Sequence, residues 1–198
     1  IKKYIDQSFS IFPFEQKWYK SKGVDTKYYG HPFIEINHLN ESRAQFFNRH
    51  KLNQKEKLIA LLPGSRQQEI NNHWGIYIET VALLKREYPN LQVIIAKSDN
   101  VTLPKADKSF KIEKNTKKAI IASDIAIVAS GTATLECAIE GTPLVVCYKV
   151  SSLTWLLAKM LVKVEHSSIV NLIAGKKIVP EFLQSEMKPN IIKNKLIE

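Results

Sequence analysis

The feature that most restricts this chain is a succession of short runs that are apolar from end to end. They are "KLIALLPG" (Lys57 to Gly64), "LQVIIAKS", "DIAIVASG" and "PLVVCYKV", with "SFKIEK" as a further short candidate. A strand with one wet face alternates polar and apolar residues, and these do not. They suit strands buried on both faces. Helix-like segments separate them. "RQQEINNHWGIYIETVALLKREYP" carries Ile70, Trp74, Tyr77, Ile78, Val81 and Leu84 at helical spacing, with Pro89 past its end. "NTKKAIIAS", "TATLECAIEG" (stopped by Gly141) and "SSLTWLLAKMLV" read as further helices. After "HSSIVNLIAGKKIVPEFLQ" the pattern weakens into polar helix. Strands alternating with helices in this way predict an α/β fold, a Rossmann-like doubly wound parallel sheet over residues 57–198.

Upstream the signals are shorter. "SFSIFPF" reads as a strand end, "EQKWYKSKG" as a helix closed by Gly23, and "VDTKYYGHP" as a strand ending in a turn. Residues 1–33 are expected to be the tail of another α/β domain. The polar, charged stretch 34–56 is expected to be a linker containing a helix. The chain begins at Ile1 without a methionine and ends in a charged, helix-like stretch, and it reads as a fragment of a longer protein.

Composition narrows the function classes. The 198 residues are 44% hydrophobic, enough for one sizeable core. Net charge is +10, but the surplus is lysine scattered through the chain. There is no aromatic RNA-binding motif and no zinc-finger spacing, so nucleic acid is not the expected partner. Cys137 and Cys147 form no CxxC pair and read as small buried residues. No run of 18 apolar residues is present.

Ligands of an open α/β sheet bind beyond the carboxyl ends of its strands. Two loops there stand out. In "LPGSRQQE", Pro63 ends the strand, Gly64 lets the backbone approach closely, and Ser65 is expected to cap the helix with Gln68 three residues on. Arg66 then projects from the first turn. A cation at a helix start is electrostatically out of place unless an anion lies beside it. In "ASGTATLE", the small residues Ser130, Gly131, Thr132 and Ala133 open a helix with free N–H groups, a ready anion site. Glu136 follows in its first turns, where a carboxylate suits the dipole and can also accept from ribose hydroxyls. Together these residues describe a site for a nucleoside diphosphate. Each loop taken alone is also an ordinary turn or cap.

Other polar residues carry less. His31 in "YYGHP" suits a turn, and His73 is expected to be exposed between polar neighbours. His166 and Asn171 lie in "EHSSIVNLIAG", where an asparagine suits either a turn or the edge of a base or sugar. No catalytic triad or metal cluster can be argued from spacing.

"SIFPFE", "YYGHP", "LLPGSRQQEI", "SDIAIVASGTATLECAIEGTPLVVCYKV" and "SSIVNLIAGKKIVPEFLQ" occur in an order that resembles the lipid-A-disaccharide synthase family, over nearly the whole chain. The resemblance implies the C-terminal domain of a GT-B glycosyltransferase. It implies an inverting enzyme without metal or cofactor, which moves 2,3-diacylglucosamine from UDP-2,3-diacylglucosamine to 2,3-diacylglucosamine 1-phosphate. Matched motif to motif, Ser65 and Arg66 would meet the diphosphate, with Ser130, Gly131 and Thr132 at its helix N-terminus. Glu136 would take the ribose, and Asn171 would lie near the nucleotide or sugar. The family's general base belongs to an N-terminal domain that is nearly absent here, and Asp6 does not replace it. No catalytic residue is therefore expected in this chain, which should not turn over alone.

The acylated substrates imply a peripheral place on the cytoplasmic face of the bacterial inner membrane, against an anionic surface. "LTWLLAKMLVKV" suits such a surface, with apolar residues flanked by Lys159 and Lys163. It equally suits a helix packed on the sheet. The competing readings are another GT-B-type UDP-sugar enzyme, such as an epimerase or the peptidoglycan transferase, or a non-catalytic nucleotide-binding module.

Overall fold

The computed structural model describes residues 4–34, 41–151, 155 and 166–198. Near the N-terminus, β1 (Ser8–Ser10), α1 (Pro13–Ser21) and β2 (Thr26–Tyr28) form a small unit. Its two strands pair in parallel, Ser8 opposite Thr26, in a sheet of their own. Pro13 begins α1 and needs no N–H partner there. The unit leaves large apolar side chains bare, with Phe9 59%, Trp18 57% and Tyr28 40% exposed.

Next comes α2 (Arg43–His50), capped by Ser42, whose hydroxyl accepts from the Gln45 N–H. The sequence puts this helix in a linker. The structure packs it into the main core, with Phe46 and Phe47 buried. Arg43 adds bonds to the Ala122 carbonyl and to Asp124, and Arg49 spans Glu41 and Glu113.

The rest winds around one sheet. Its elements are β3 (Leu58–Leu62), α3 (Gln67–Glu87), β4 (Gln92–Ala96), β5 (Lys111–Glu113), α4 (Thr116–Ala122), β6 (Ile125–Ala129), α5 (Thr132–Glu140), β7 (Leu144–Tyr148), α6 (Ile169–Ala174), β8 (Glu181–Leu183) and α7 (Pro189–Ile197). The strands lie in the order β5-β4-β3-β6-β7-β8, and all are parallel. The chain therefore winds outward from β3 to β5, then returns beside β3 and winds the other way.

Alternation along each strand divides the core in two. Leu58, Ala60, Leu62, Ala126, Val128 and Val146 face α2, α4 and α5. Ile59, Leu61, Val93, Ile95, Ile127 and Val145 face α3 and α7, meeting Ile70, Trp74, Tyr77, Val81 and Ile192. Each leucine, isoleucine or valine among them contributes about 1.5–3 kcal/mol by leaving water. The two cysteines fall in opposite layers as small apolar residues. Burial pushes the Cys137 thiol up to about 12 and also raises that of Cys147.

The sixth strand is absent from the sequence reading. β8 is only three residues long and includes a glutamate, so no apolar run announces it. The helix expected at "SSLTWLLAKMLV" lies outside the described residues apart from Ser151 and Trp155. No described helix is long and apolar enough to cross a membrane.

Candidate functional site

β3 and β6 are neighbours in the sheet, yet their following connections depart in opposite directions. Beyond their carboxyl ends the connections part and leave a crevice, the usual ligand position in such folds. A cavity of about 400 Å³ lies there. Gly64, Ser65, Arg66 and Glu69 line one side, and Ser130, Gly131, Thr132 and Glu136 the other. The two loops singled out in the sequence thus share one cavity. A larger hollow of about 480 Å³ opens at the amino edge of the same strands. It is lined mainly by apolar groups such as Leu58, Leu84, Tyr88 and Leu196, and offers no helix N-terminus. The open helix start of α5 and Arg66 are in the smaller one.

The start of α3 differs from expectation. Its N-cap is Arg66, in extended conformation, not Ser65. The third helical residue is Glu69, and its Oε2 accepts from the N–H groups of Ser65 (2.9 Å) and Arg66 (3.2 Å). Its Oε1 lies 3.1 Å from Arg66 Nη1. The anion beside the arginine in this structure is therefore Glu69, which sequence reasoning missed. The signal was present, since a glutamate three residues into a helix closes a capping box. The Arg66 side chain remains 81% exposed at the wall of the cavity.

The start of α5 is open. Gly131 is its N-cap and has no side chain to turn inward. The N–H groups of Gly131, Thr132 and Ala133 meet no acceptor among the described residues. Successive unpaired amides at a helix start attract an anion. Ser130 contributes less directly. Its N–H bonds the Cys147 carbonyl, and its hydroxyl donates to the Ser167 carbonyl at 2.8 Å. Glu136 is half-buried in the same cavity, and its carboxylate makes no hydrogen bond among the described residues. Burial raises its pKa above the usual carboxylate value, Lys117 opposes this, and Glu140 adds to it.

Asn171 does not line the cavity. It is fully buried on α6, and its amide is saturated. Nδ2 donates to the Val179 carbonyl and to Glu181 Oε1, while Oδ1 accepts from the N–H groups of Ile178 and Val179. The expectation of a nucleotide contact is therefore revised to a positioning role. Glu181, also buried, accepts from the Ser167 and Ser168 N–H groups and the Ser168 hydroxyl. Burial opposes its charge, but these donors hold its pKa below the usual value. Asn171 and Glu181 thus fix the Ser167–Ser168 turn, whose carbonyl orients Ser130.

His73, expected at the surface, is fully buried. α3 turns it inward, where it meets Pro63 and Lys149. Among the described residues, no cluster of three metal-ligating side chains occurs.

A family profile described as lipid-A-disaccharide synthetase matches residues 1–198. The lipid-A-disaccharide synthase of Myxococcus xanthus is 36% identical over 200 residues, covering 97% of this chain and 52% of its own. That of Rickettsia prowazekii is 34% identical over 204 residues, covering 99% and 53%. The chain spans about half the length of the curated relatives it matches. Among solved structures, WaaG, a glycosyltransferase involved in lipopolysaccharide biosynthesis, superposes with a TM-score of 0.51 at 12% identity, covering 96% of this chain and 53% of that one. That likeness concerns the fold, which is of the GT-B kind. With its two loops set on one crevice and its whole length matched, the chain belongs to the lipid-A-disaccharide synthetase family.

Proposed function

We propose that this chain is the UDP-binding half of an inverting glycosyltransferase of lipid A biosynthesis. The full protein moves 2,3-diacylglucosamine from UDP-2,3-diacylglucosamine to 2,3-diacylglucosamine 1-phosphate and releases UDP. The observation that carries the reading is the convergence of the α5 N-terminus, Arg66 and Glu136 on one cavity at the β3/β6 switch point. The free amides of Gly131, Thr132 and Ala133 take one phosphate, and Arg66 swings from Glu69 to the other. Ser65 and Ser130 shape the walls beside them, and Glu136 accepts the ribose hydroxyls. Arg66 and the helix N-terminus stabilise the charge that develops on the departing diphosphate. The general base is supplied by the half of the protein beyond this chain.

The same reading accounts for the bare aromatics of the small β1–α1–β2 unit, as a face that the rest of an N-terminal domain covers. Residues 1–33 belong to that domain, and 57–198 form the nucleotide domain with α2 packed against it. The acylated substrates and the segment 153–164 hold the enzyme at the cytoplasmic face of the inner membrane. Calorimetric titration with UDP, with GDP as control, tests the proposal. Preference for UDP that collapses in both Arg66→Ala and Glu136→Ala supports it, and equal binding of UDP and GDP refutes it.

A further inference from the structure

We propose that His73, held as a single neutral tautomer, is a positioning residue that ties the Pro63–Arg66 loop to the carboxyl end of β7, and that protonating it loosens the loop. The proposal rests on the nucleotide reading only in its consequence for UDP. The geometry assigns the tautomer. Nδ1 lies 2.8 Å from the Pro63 carbonyl, which can only accept, so Nδ1 carries the proton. Nε2 lies 3.0 Å from the Lys149 N–H, which can only donate, so Nε2 is bare. Only the neutral ring satisfies both. A proton on Nε2 would face the Lys149 N–H and break that bond.

The ring is well placed for such a role. Pro63 immediately precedes Gly64, Ser65 and Arg66, which line the cavity. The adjacent Asn72 donates to the Lys149 carbonyl at 3.0 Å, so α3 holds both backbone groups of Lys149. Gln67 does the same one turn earlier, donating to the Thr102 carbonyl and accepting from its N–H. The first half of α3 thus ties together the loops that follow β3, β4 and β7.

The surroundings favour the neutral ring. It is fully buried, with Tyr77 of α3 stacked at 5.9 Å and Tyr148 of β7 tilted at 6.2 Å. The charged groups facing it are Glu69 on its own helix and Lys149 after β7. Burial lowers its pKa below 6.5, while the Pro63 bond and Glu69 oppose this without reversing it.

The test follows the His73 ring by long-range ¹H–¹⁵N NMR from pH 8 downward, with UDP titrations at each pH, on the native chain and on His73→Gln. Glutamine keeps a donor and an acceptor but does not titrate. The expected result is an Nδ1–H tautomer at pH 8. As the ring titrates, the Gly64, Ser65 and Lys149 amide signals move with it, and UDP affinity falls about tenfold, the loss of one hydrogen bond. In His73→Gln the affinity falls about tenfold less over that interval, keeping only the part due to protonation of Glu136. Gly64 and Ser65 signals that ignore the ring overturn the proposal, as does a ring that stays neutral until the protein unfolds. The same fall in affinity in His73→Gln also overturns it. No UDP binding at any pH, with the loop signals still following the ring, overturns the nucleotide reading and leaves this one standing.

Discussion

Gly64 and Glu69 are fitted to each other. A Cβ on Gly64 would stand 2.5 Å from Glu69 Cβ and nearer still to its Oε2, the atom that caps Ser65 and Arg66. Gly64 also has φ at +125°, a conformation that other residues rarely adopt. Gly64→Ala should therefore cost about 1–3 kcal/mol and displace the Glu69 cap. Urea denaturation measures the first effect, and loss of UDP affinity the second.

Arg66 separates binding from stability. Its ion pair with Glu69 is exposed, so Arg66→Ala should change unfolding free energy by less than about 0.5 kcal/mol. The same substitution should weaken UDP binding about 10–100-fold, as expected for a charged hydrogen-bond partner of phosphate. Arg66→Lys should recover only part, since lysine lacks the planar fork. Calorimetry and a denaturation curve on each variant decide it.

Glu136 gives two pH effects of opposite sign. Its pKa is raised by burial in the empty protein, so its charged form is the costlier one. The sign follows from proton counting. The folded state binds the proton more readily than the unfolded state, so this group adds stability as pH falls through the interval above 4.5. Under the proposed function ribose binding needs the carboxylate, so UDP affinity should weaken over the same interval. Glu136→Gln should remove both dependences. It should also weaken UDP about tenfold while leaving 2′,3′-dideoxy-UDP nearly unaffected. Thermal melts and titrations between pH 7 and 4.5 check both halves.

The Asn171–Glu181 pair predicts a stability loss. Asn171→Ala strips the Ile178 and Val179 N–H groups of their acceptor and Glu181 of a donor. The cost should be about 3 kcal/mol, read from the urea midpoint. Glu181 has a lowered pKa, so its stabilisation is present above 4.5 and is lost as pH falls through its folded value. Acid unfolding of the native chain should therefore begin at a lower pH than if that carboxylate were ordinary, and Glu181→Gln should lose this component.

The chain's local chemistry announces the fold and the two loops of the candidate site. "LIALL" and "IAIVA" are apolar throughout because strands covered on both faces have no wet side, and that property is readable without coordinates. Gly141 ends α5 in the left-handed conformation that glycine permits, again a local matter. The loops around Arg66 and Gly131 were likewise visible, since helix starts after strands have short-range signatures. What the sequence could not decide depends on partners far along the chain. β8 is three residues made a strand by pairing with β7, and its buried glutamate is stable only because Ser167, Ser168 and Asn171 converge on it. His73 looks exposed between polar neighbours, but helix phase and the carbonyl of Pro63 draw it inside. Asn171 has the chemistry to read a base, yet four backbone and side-chain partners saturate it first. Local propensity is carried by a few consecutive residues. Burial and hydrogen-bond saturation are set by which segments the folded sheet brings together.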